Sequence, residues 1–209
     1  LGASNFVPKN SLSKLLTHVV DRTVRMSQLD RGFQSFPGQL CKPEFSFKLS
    51  NHITAIEPAA GFVLQSMAAA GLMNATQRMR VATAVASAIF NAICFGNLQI
   101  KDDSTAISRM LAGDESGDDE LKGLADREPY CDRRVDLRVS VGEHDTRILV
   151  SHEGPGRMTR LTPAPGTPES FELEQCRGLM LMTSFMDDVV FHSDASEVVM
   201  VKNHPRKSG

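Results

Sequence analysis

The sequence predicts an α+β fold: a two-layer sandwich with helices on one face of a mixed, mostly antiparallel sheet. Helical periodicity dominates the first half of the chain, and short segments that alternate apolar and polar residues dominate the second half. Helices gathered ahead of antiparallel strands are typical of α+β proteins, whereas parallel sheets alternate strand and helix along the chain. With 209 residues, of which 41% are hydrophobic, the chain can bury a core without disulfides or structural metal.

The first predicted elements are a strand and a helix. The strand starts at residue 44, because three apolar residues alternate there with polar ones: Phe45, Phe47 and Leu49. The helix is expected over residues 55–70, with Gly71 as its C-terminal stop. Asn74 or Thr76 is then the N-cap of the next helix.

Residues 77–94 are predicted to form a long buried helix. The segment contains neither Gly nor Pro, and its apolar residues form one stripe: Ala82, Val85, Ala86, Ile89, Ala92 and Ile93. Gly96 and Asn97 end the helix. Uninterrupted apolar runs are far shorter than the roughly 18 residues of a membrane span, so no such span is predicted.

An acidic segment follows over residues 102–128, with nine acidic and three basic residues. We expect one or two short surface helices here, separated by residues 113–117. Such a charge run is typical of a solvated face, and the alternative is an acidic docking patch.

The second half of the chain is predicted to be mainly strands. Residues 135–141 and 147–151 form a hairpin around a turn at 142–145. The remaining elements are a proline-rich loop, a short helix and two strands, over residues 155–166, 177–185, 188–192 and 197–202.

Three parts are predicted in the chain: an N-terminal helical extension and linker over 1–43, a domain over 44–203 and a basic tail over 204–209. Residues 1–43 are locally basic and carry apolar residues at helical spacing. We expect this apolar stripe to pack on its own domain or on the second subunit of a dimer. The alternative is that it binds a partner or a membrane surface. No signal peptide is visible, and upstream residues are expected because Met is not the first residue.

Charge and cysteine content narrow the function. Twenty-three Lys and Arg against 25 Asp and Glu give a net charge of −2, which predicts a protein or small-ligand partner, not nucleic acid or a membrane. The cysteines are too widely spaced for a zinc ribbon or a disulfide framework, so we expect free thiols in a reducing cytoplasm: Cys41, Cys94, Cys131 and Cys176. The alternative is a metal site formed by His144, His152, Cys131 and Cys176. These residues would have to come together in the fold, because no two of them have the spacing along the chain that is typical of metal ligands.

Three short stretches stand out together, over residues 91–97, 150–156 and 177–182. Gly154 and Gly156 allow the backbone to approach a ligand closely, and the alternative role of each is a tight turn. Gly178 is expected at a helix N-terminus, where free N–H groups bind an anion such as phosphate.

In this order and spacing the stretches resemble the GHKL ATPase superfamily, specifically the small bacterial anti-sigma-factor serine kinases, over residues 44–202. The resemblance implies the Bergerat, or histidine-kinase-like ATPase, fold. It also implies ATP or ADP with Mg²⁺, a sigma factor or anti-sigma antagonist as partner, homodimerisation and a bacterial cytoplasmic location.

The resemblance assigns roles to the first stretch. Asn91 matches the family's Mg²⁺-binding Asn. The general-base Glu four residues earlier is replaced by Ser87, whose hydroxyl cannot accept a proton near neutral pH. Phe95 occupies the position of a family His.

The second stretch normally carries an Asp that accepts a hydrogen bond from adenine. His152 stands in its place, while Gly154 and Gly156 are retained. Val199 replaces a Thr that supports adenine from the last strand. Leaving the adenine amino group unpaired costs about 1–3 kcal/mol, so these exchanges predict weak or lost nucleotide binding.

In the third stretch the resemblance places phosphate at Gly178 and Leu179. Arg177 reaches that phosphate or forms a surface ion pair. Residues 157–175 correspond to the family's ATP lid, and the prolines Pro163, Pro165 and Pro168 predict a mobile or displaced lid.

Three functions follow as hypotheses. The first is a regulator that binds a sigma factor or antagonist with little or no phosphotransfer. The second is an active serine kinase in which Glu153, Asp102 or Asp103 replaces the missing carboxylate. The third is a dimeric scaffold that associates through the N-terminal helix.

Overall fold

A five-stranded sheet and five helices make up the described part of the chain. The computed structural model describes residues 43–71, 73–101, 104–156, 158, 174–192 and 194–204. The strands are β1 (Glu44–Leu49), β2 (Val135–Val141), β3 (Asp145–His152), β4 (Asp188–Phe191) and β5 (Glu197–Asn203). The helices are α1 (Ile56–Ala70), α2 (Ala75–Asn91), α3 (Thr105–Leu111), α4 (Glu115–Ala125) and α5 (Glu174–Phe185). These elements confirm the α+β class.

The sheet has the order β1-β2-β3-β5-β4, and every neighbouring pair is antiparallel. The sheet is therefore wholly antiparallel over the described strands, where a mostly antiparallel sheet was expected. Alternate residues of β2 are buried, and Leu137 lies opposite Val150, which in turn lies opposite Val198. These fully buried side chains belong to the core.

Helix α2 is the central core helix, and its ends are set by local chemistry. Gly71, at φ 64°, ends the preceding helix in the left-handed conformation that glycine tolerates. Asn74, one of the two predicted N-caps, caps α2 through a capping box with Gln77. The helix then continues as a wider π turn over Ala92–Asn97, with a hydrogen bond from the Leu98 N–H to the Ile93 carbonyl.

The acidic segment forms two helices, α3 and α4, as expected. Gly113 lies in the turn between them, at φ 77°. Gly117 was predicted to belong to that turn as well, but it is buried within α4. A Cβ at Gly117 would lie 2.7 Å from the Ala106 carbonyl oxygen, so its hydrogen atom allows the two helices to pack closely.

One helical stretch, Ala75–Asn97, is long and apolar enough to cross a membrane by length and composition, with a mean hydropathy of 1.5. The prediction of no membrane span did not include this stretch, because polar residues interrupt its apolar runs. Because 61% of its most apolar window is buried inside the protein, the stretch also has the character of a core helix.

The described residues within 43–68 and 73–204 form one compact unit. Apart from Pro43 and His204, the predicted N-terminal extension and basic tail lie outside the described residues, as does Cys41. Cys94 and Cys131 are free thiols, as predicted.

Candidate functional site

The three predicted stretches meet at the π turn that ends α2. The Gly154 N–H donates to Asn97 Oδ1 at 2.7 Å, and the Gly156 N–H donates to the Gly96 carbonyl at 3.1 Å. On the other side, a Cβ at Gly178 would lie 2.8 Å from Asn91 Oδ1. The structure therefore brings one residue of α5 and the glycine loop, residues 153–156, against residues 91–97.

Asn91, the predicted Mg²⁺ ligand, is the last residue of α2 and has no exposed surface. Its Nδ2 donates to the carbonyls of Met158 and Gln175, each at 3.3 Å. Its Oδ1 has no hydrogen-bond partner among the described residues. The amide therefore ties two distant parts of the chain to the core helix.

His152 lies at the end of β3 with 7% of its surface exposed. Its ring packs directly on Gly96, where a Cβ would lie 2.5 Å from the ring Cδ2. Neither ring nitrogen has a hydrogen-bond partner among the described residues. Burial lowers the pKa of His152 below its usual value, so the ring is neutral at pH 7.

The glycine loop packs against protein backbone. A Cβ at Gly154 would lie 2.7 Å from Asn97 Cα, and a Cβ at Gly156 would overlap the Phe95 carbonyl oxygen. Both glycines are therefore required for close approach to the π turn. Sequence reasoning foresaw close approach but assigned the neighbouring surface to a ligand.

The predicted helix start at Arg177 needs a correction, because α5 begins at Glu174, three residues earlier. Only the first few N–H groups of a helix lack intrahelical acceptors, so Gly178 lies within the hydrogen-bonded body of α5. Gly178 is buried, and Arg177 is exposed on the helix. Leu179 is half-buried, and its carbonyl accepts a hydrogen bond from Thr183 Oγ1 at 3.0 Å.

Ser87 and Phe95 occupy the positions of the family's Glu and His. In the contacts that the structure describes, neither side chain offers a general base. The Ser87 hydroxyl donates to the Thr83 carbonyl at 2.9 Å, within its own helix. Phe95 is 5% exposed and packs edge-on against Phe90, with ring centroids 6.0 Å apart. Both side chains therefore make these contacts within α2 and its π turn.

Val199 lies on the opposite face of the sheet from His152, so the structure does not bring these two predicted adenine-site residues together. It pairs with Leu149, whereas the buried Val198 pairs with Val150. Because strand residues alternate between faces, Val198 shares the buried face with Val150 and His152. Val198 therefore lies on the same side of the sheet as the candidate site, and Val199 does not.

Glu153, one proposed replacement for the missing carboxylate, is engaged elsewhere. Its carboxylate accepts hydrogen bonds from the Arg134 N–H at 2.9 Å and from Lys48 Nζ at 3.4 Å. Asp102 and Asp103 lie outside the described residues. The described contacts of Asn91 thus include no carboxylate.

Sequence reasoning missed two residues that organise this site. Asn97 is fully buried: its Oδ1 accepts the Gly154 N–H and its Nδ2 donates to the Arg134 carbonyl at 3.1 Å. Arg133 donates to the Asn97 carbonyl and lies over the Tyr130 ring, 4.9 Å from its centroid. A polar residue directly after residues 92–96, which carry no polar side chain apart from the Cys94 thiol, was the available signal for Asn97.

The described residues do not fit a magnesium nucleotide well. Asn91 Oδ1 is an oxygen ligand of the type Mg²⁺ prefers, but it is enclosed against Gly178. Among the described residues, no group of three or more His, Cys, Asp or Glu side chains could hold a metal ion, so His144, His152, Cys131 and Cys176 do not form one. His152 also places a neutral, buried ring where the kinases have a carboxylate.

Comparison with known proteins identifies the fold family. No curated protein matches the chain. Residues 50–202 match the family described as "Histidine kinase-like ATPase domain", which is well over half of the 209-residue chain. Together with the α+β architecture and an antiparallel sheet backed by helices, this match shows that the chain belongs to the histidine kinase-like ATPase family.

Proposed function

We propose that this chain is a regulator of the anti-sigma-factor serine kinase type that acts by binding a protein partner. Its partner is a sigma factor or an anti-sigma antagonist, and its nucleotide binding and phosphotransfer are weak or absent. The family suggests nucleotide binding, usually with Mg²⁺. In this proposal the chain has kept the family's fold and its partner binding, and has lost most of its nucleotide binding and phosphotransfer.

The observation that supports the proposal is that residues at nucleotide-facing positions are used for internal packing. His152 fills the space beside Gly96, and Asn91 spends both amide hydrogens on backbone carbonyls. A nucleotide would have to displace these contacts before it could bind. The displaced contacts would subtract from its affinity, because each buried hydrogen bond contributes about 1 kcal/mol.

The first test is a thermal-shift titration of the full chain with about 1 mM Mg²⁺-ATP and Mg²⁺-ADP. A site with a dissociation constant near 10 μM would stabilise the protein by about 2.7 kcal/mol, which is a rise in Tm of roughly 5–10 °C for a chain of this size. We expect no shift. A shift of that size, or transfer of phosphate to a purified antagonist, would overturn the proposal and favour an active kinase.

The matched variants are His152→Asp and His144→Asp. His152→Asp restores the family's adenine acceptor, while His144 is exposed in the β2–β3 turn, so its replacement changes charge equally without touching the site. If His152→Asp alone acquires a nucleotide-dependent shift, the lost function is localised to that position.

Partner binding is tested separately, with purified sigma factors and anti-sigma antagonists from the same genome. We propose that the protein works in the bacterial cytoplasm as a homodimer, so sedimentation should give twice the mass of one chain. Binding to a sigma factor or antagonist without nucleotide supports the regulator. A dimer that binds neither class would instead favour the scaffold hypothesis.

A further inference from the structure

A seam of close contacts joins the end of β3 and the glycine loop to the π turn. We define the seam as residues 152–156 packed on residues 95–97. It consists of the His152 ring on Gly96, the hydrogen bond from Gly154 to Asn97, and the hydrogen bond from Gly156 to Gly96. An ionisable side chain, His152, thus lies inside a contact that otherwise depends on neutral groups.

The neutral imidazole suits this environment and the imidazolium does not. His152 is 93% buried, and neither ring nitrogen has a hydrogen-bond partner among the described residues, so a second proton would place a charge out of contact with water at a cost that the backbone of Ala195 and Gly154 offsets only in part. Burial of a charge without a partner is among the most unfavourable changes in a protein interior.

The charged groups around the ring do not compensate for that cost. From the segment before β2, the Arg133 guanidinium disfavours a second cation. From the β4–β5 turn, the Asp194 carboxylate attracts one, but Asp194 is exposed and already accepts bonds from His192 and from Ser196. On the π turn, burial raises the pKa of the Cys94 thiol, which therefore stays uncharged.

Desolvation is the largest cause of the lowered pKa of His152. The backbone at Ala195 and Gly154 and the Asp194 charge act in the opposite direction, but less strongly. The pKa of His152 is lower in the folded state than in the unfolded chain. The stability that the neutral ring contributes is therefore fully present at pH values above the pKa of the unfolded chain. It is lost as the pH falls through the folded pKa.

We propose that His152 is an acid-sensitive wedge in this seam. In the neutral form the ring holds the glycine loop on the π turn. When it takes up a second proton, the ring leaves Gly96 and the loop separates from Asn97. Mild acid therefore opens the end of the domain that the family uses for its ligand, whether or not this chain binds nucleotide.

The test is amide hydrogen exchange of the full chain at pH 7.5, 6.5 and 5.5, corrected for the intrinsic pH dependence of exchange. The protection of the backbone amides in residues 95–98 and 152–156 should decrease as the pH is lowered. The decrease should be at most about tenfold per pH unit, because a single proton is taken up. His152→Phe keeps a ring in the seam and cannot titrate, so its protection should not change with pH.

His192→Gln is the matched control, because His192 is exposed, titratable and outside the residues that form the seam. It should retain the pH dependence of the natural chain. Constant protection in the natural chain, or the same acid loss in His152→Phe, would refute the wedge.

If His152→Phe does not fold, NMR titration of the histidine rings in the natural chain decides the question. The His152 ring should titrate below about 6.5, the value of an unperturbed histidine. A value at or above that refutes the proposal.

Discussion

Replacing Gly156 by alanine is the most direct test of how the glycine loop is held. The new Cβ would overlap the Phe95 carbonyl oxygen and lie 3.0 Å from the Gly96 carbonyl carbon. Both atoms belong to the buried backbone of the π turn, so they cannot rotate away as a side chain could. The loop must therefore withdraw and give up the hydrogen bond from the Gly156 N–H to the Gly96 carbonyl.

The expected cost combines two contributions. Overpacking of a tight contact costs about 1–3 kcal/mol and a lost hydrogen bond about 1 kcal/mol, so Gly156→Ala should destabilise the protein by about 2–4 kcal/mol. At roughly 2–4 °C per kcal/mol for a chain of this size, the Tm should fall by roughly 5–15 °C. Urea and thermal unfolding of the full chain measure both quantities.

Gly123→Ala is the control, because it lies in α4 with no atom within 4 Å of the new Cβ. Alanine favours a helix over glycine by about 0.8–1 kcal/mol, so this variant should be slightly more stable than the natural chain. If Gly156→Ala is as stable as Gly123→Ala, the loop does not pack on the π turn as described and the argument fails.

Two further substitutions test other contacts. Gly117→Ala, in the same helix as Gly123, should destabilise by about 1–3 kcal/mol because its Cβ meets the backbone of α3; an increase in urea midpoint would contradict the close packing of α3 and α4. Asn91→Ala removes two hydrogen bonds to buried carbonyls and should cost about 2 kcal/mol or more. Asn91→Asp should not restore the lost stability, because a carboxylate cannot donate; unfolding at the natural urea midpoint would show that Asn91 does not tie these segments together.

The sequence alone was sufficient for the strand and helix order, the hairpin at 135–151 and the capping of α2. Each depends on interactions between residues close along the chain: alternation in β2, the Asn74 and Gln77 capping box, and Gly71 in a left-handed conformation. Such signals need no knowledge of what packs against the element.

The candidate site was only partly accessible in this way, because its residues acquire their roles from neighbours far along the chain. In β5 the consecutive residues from Val198 to Val201 are all apolar, so no alternation reveals which face is buried. Pairing with β3 decides it: Val198 lies opposite Val150 on the buried face and Val199 opposite Leu149 on the other.

The role of the glycines was likewise set by tertiary structure. A glycine in a sequence shows that close approach is allowed, but not what approaches. For Gly156 the neighbour is the backbone of residues 95–96, and for Gly178 it is the Asn91 amide. Local pattern therefore determined the elements, and packing between distant segments determined that the glycines of the motif contact the protein's own residues 91–97.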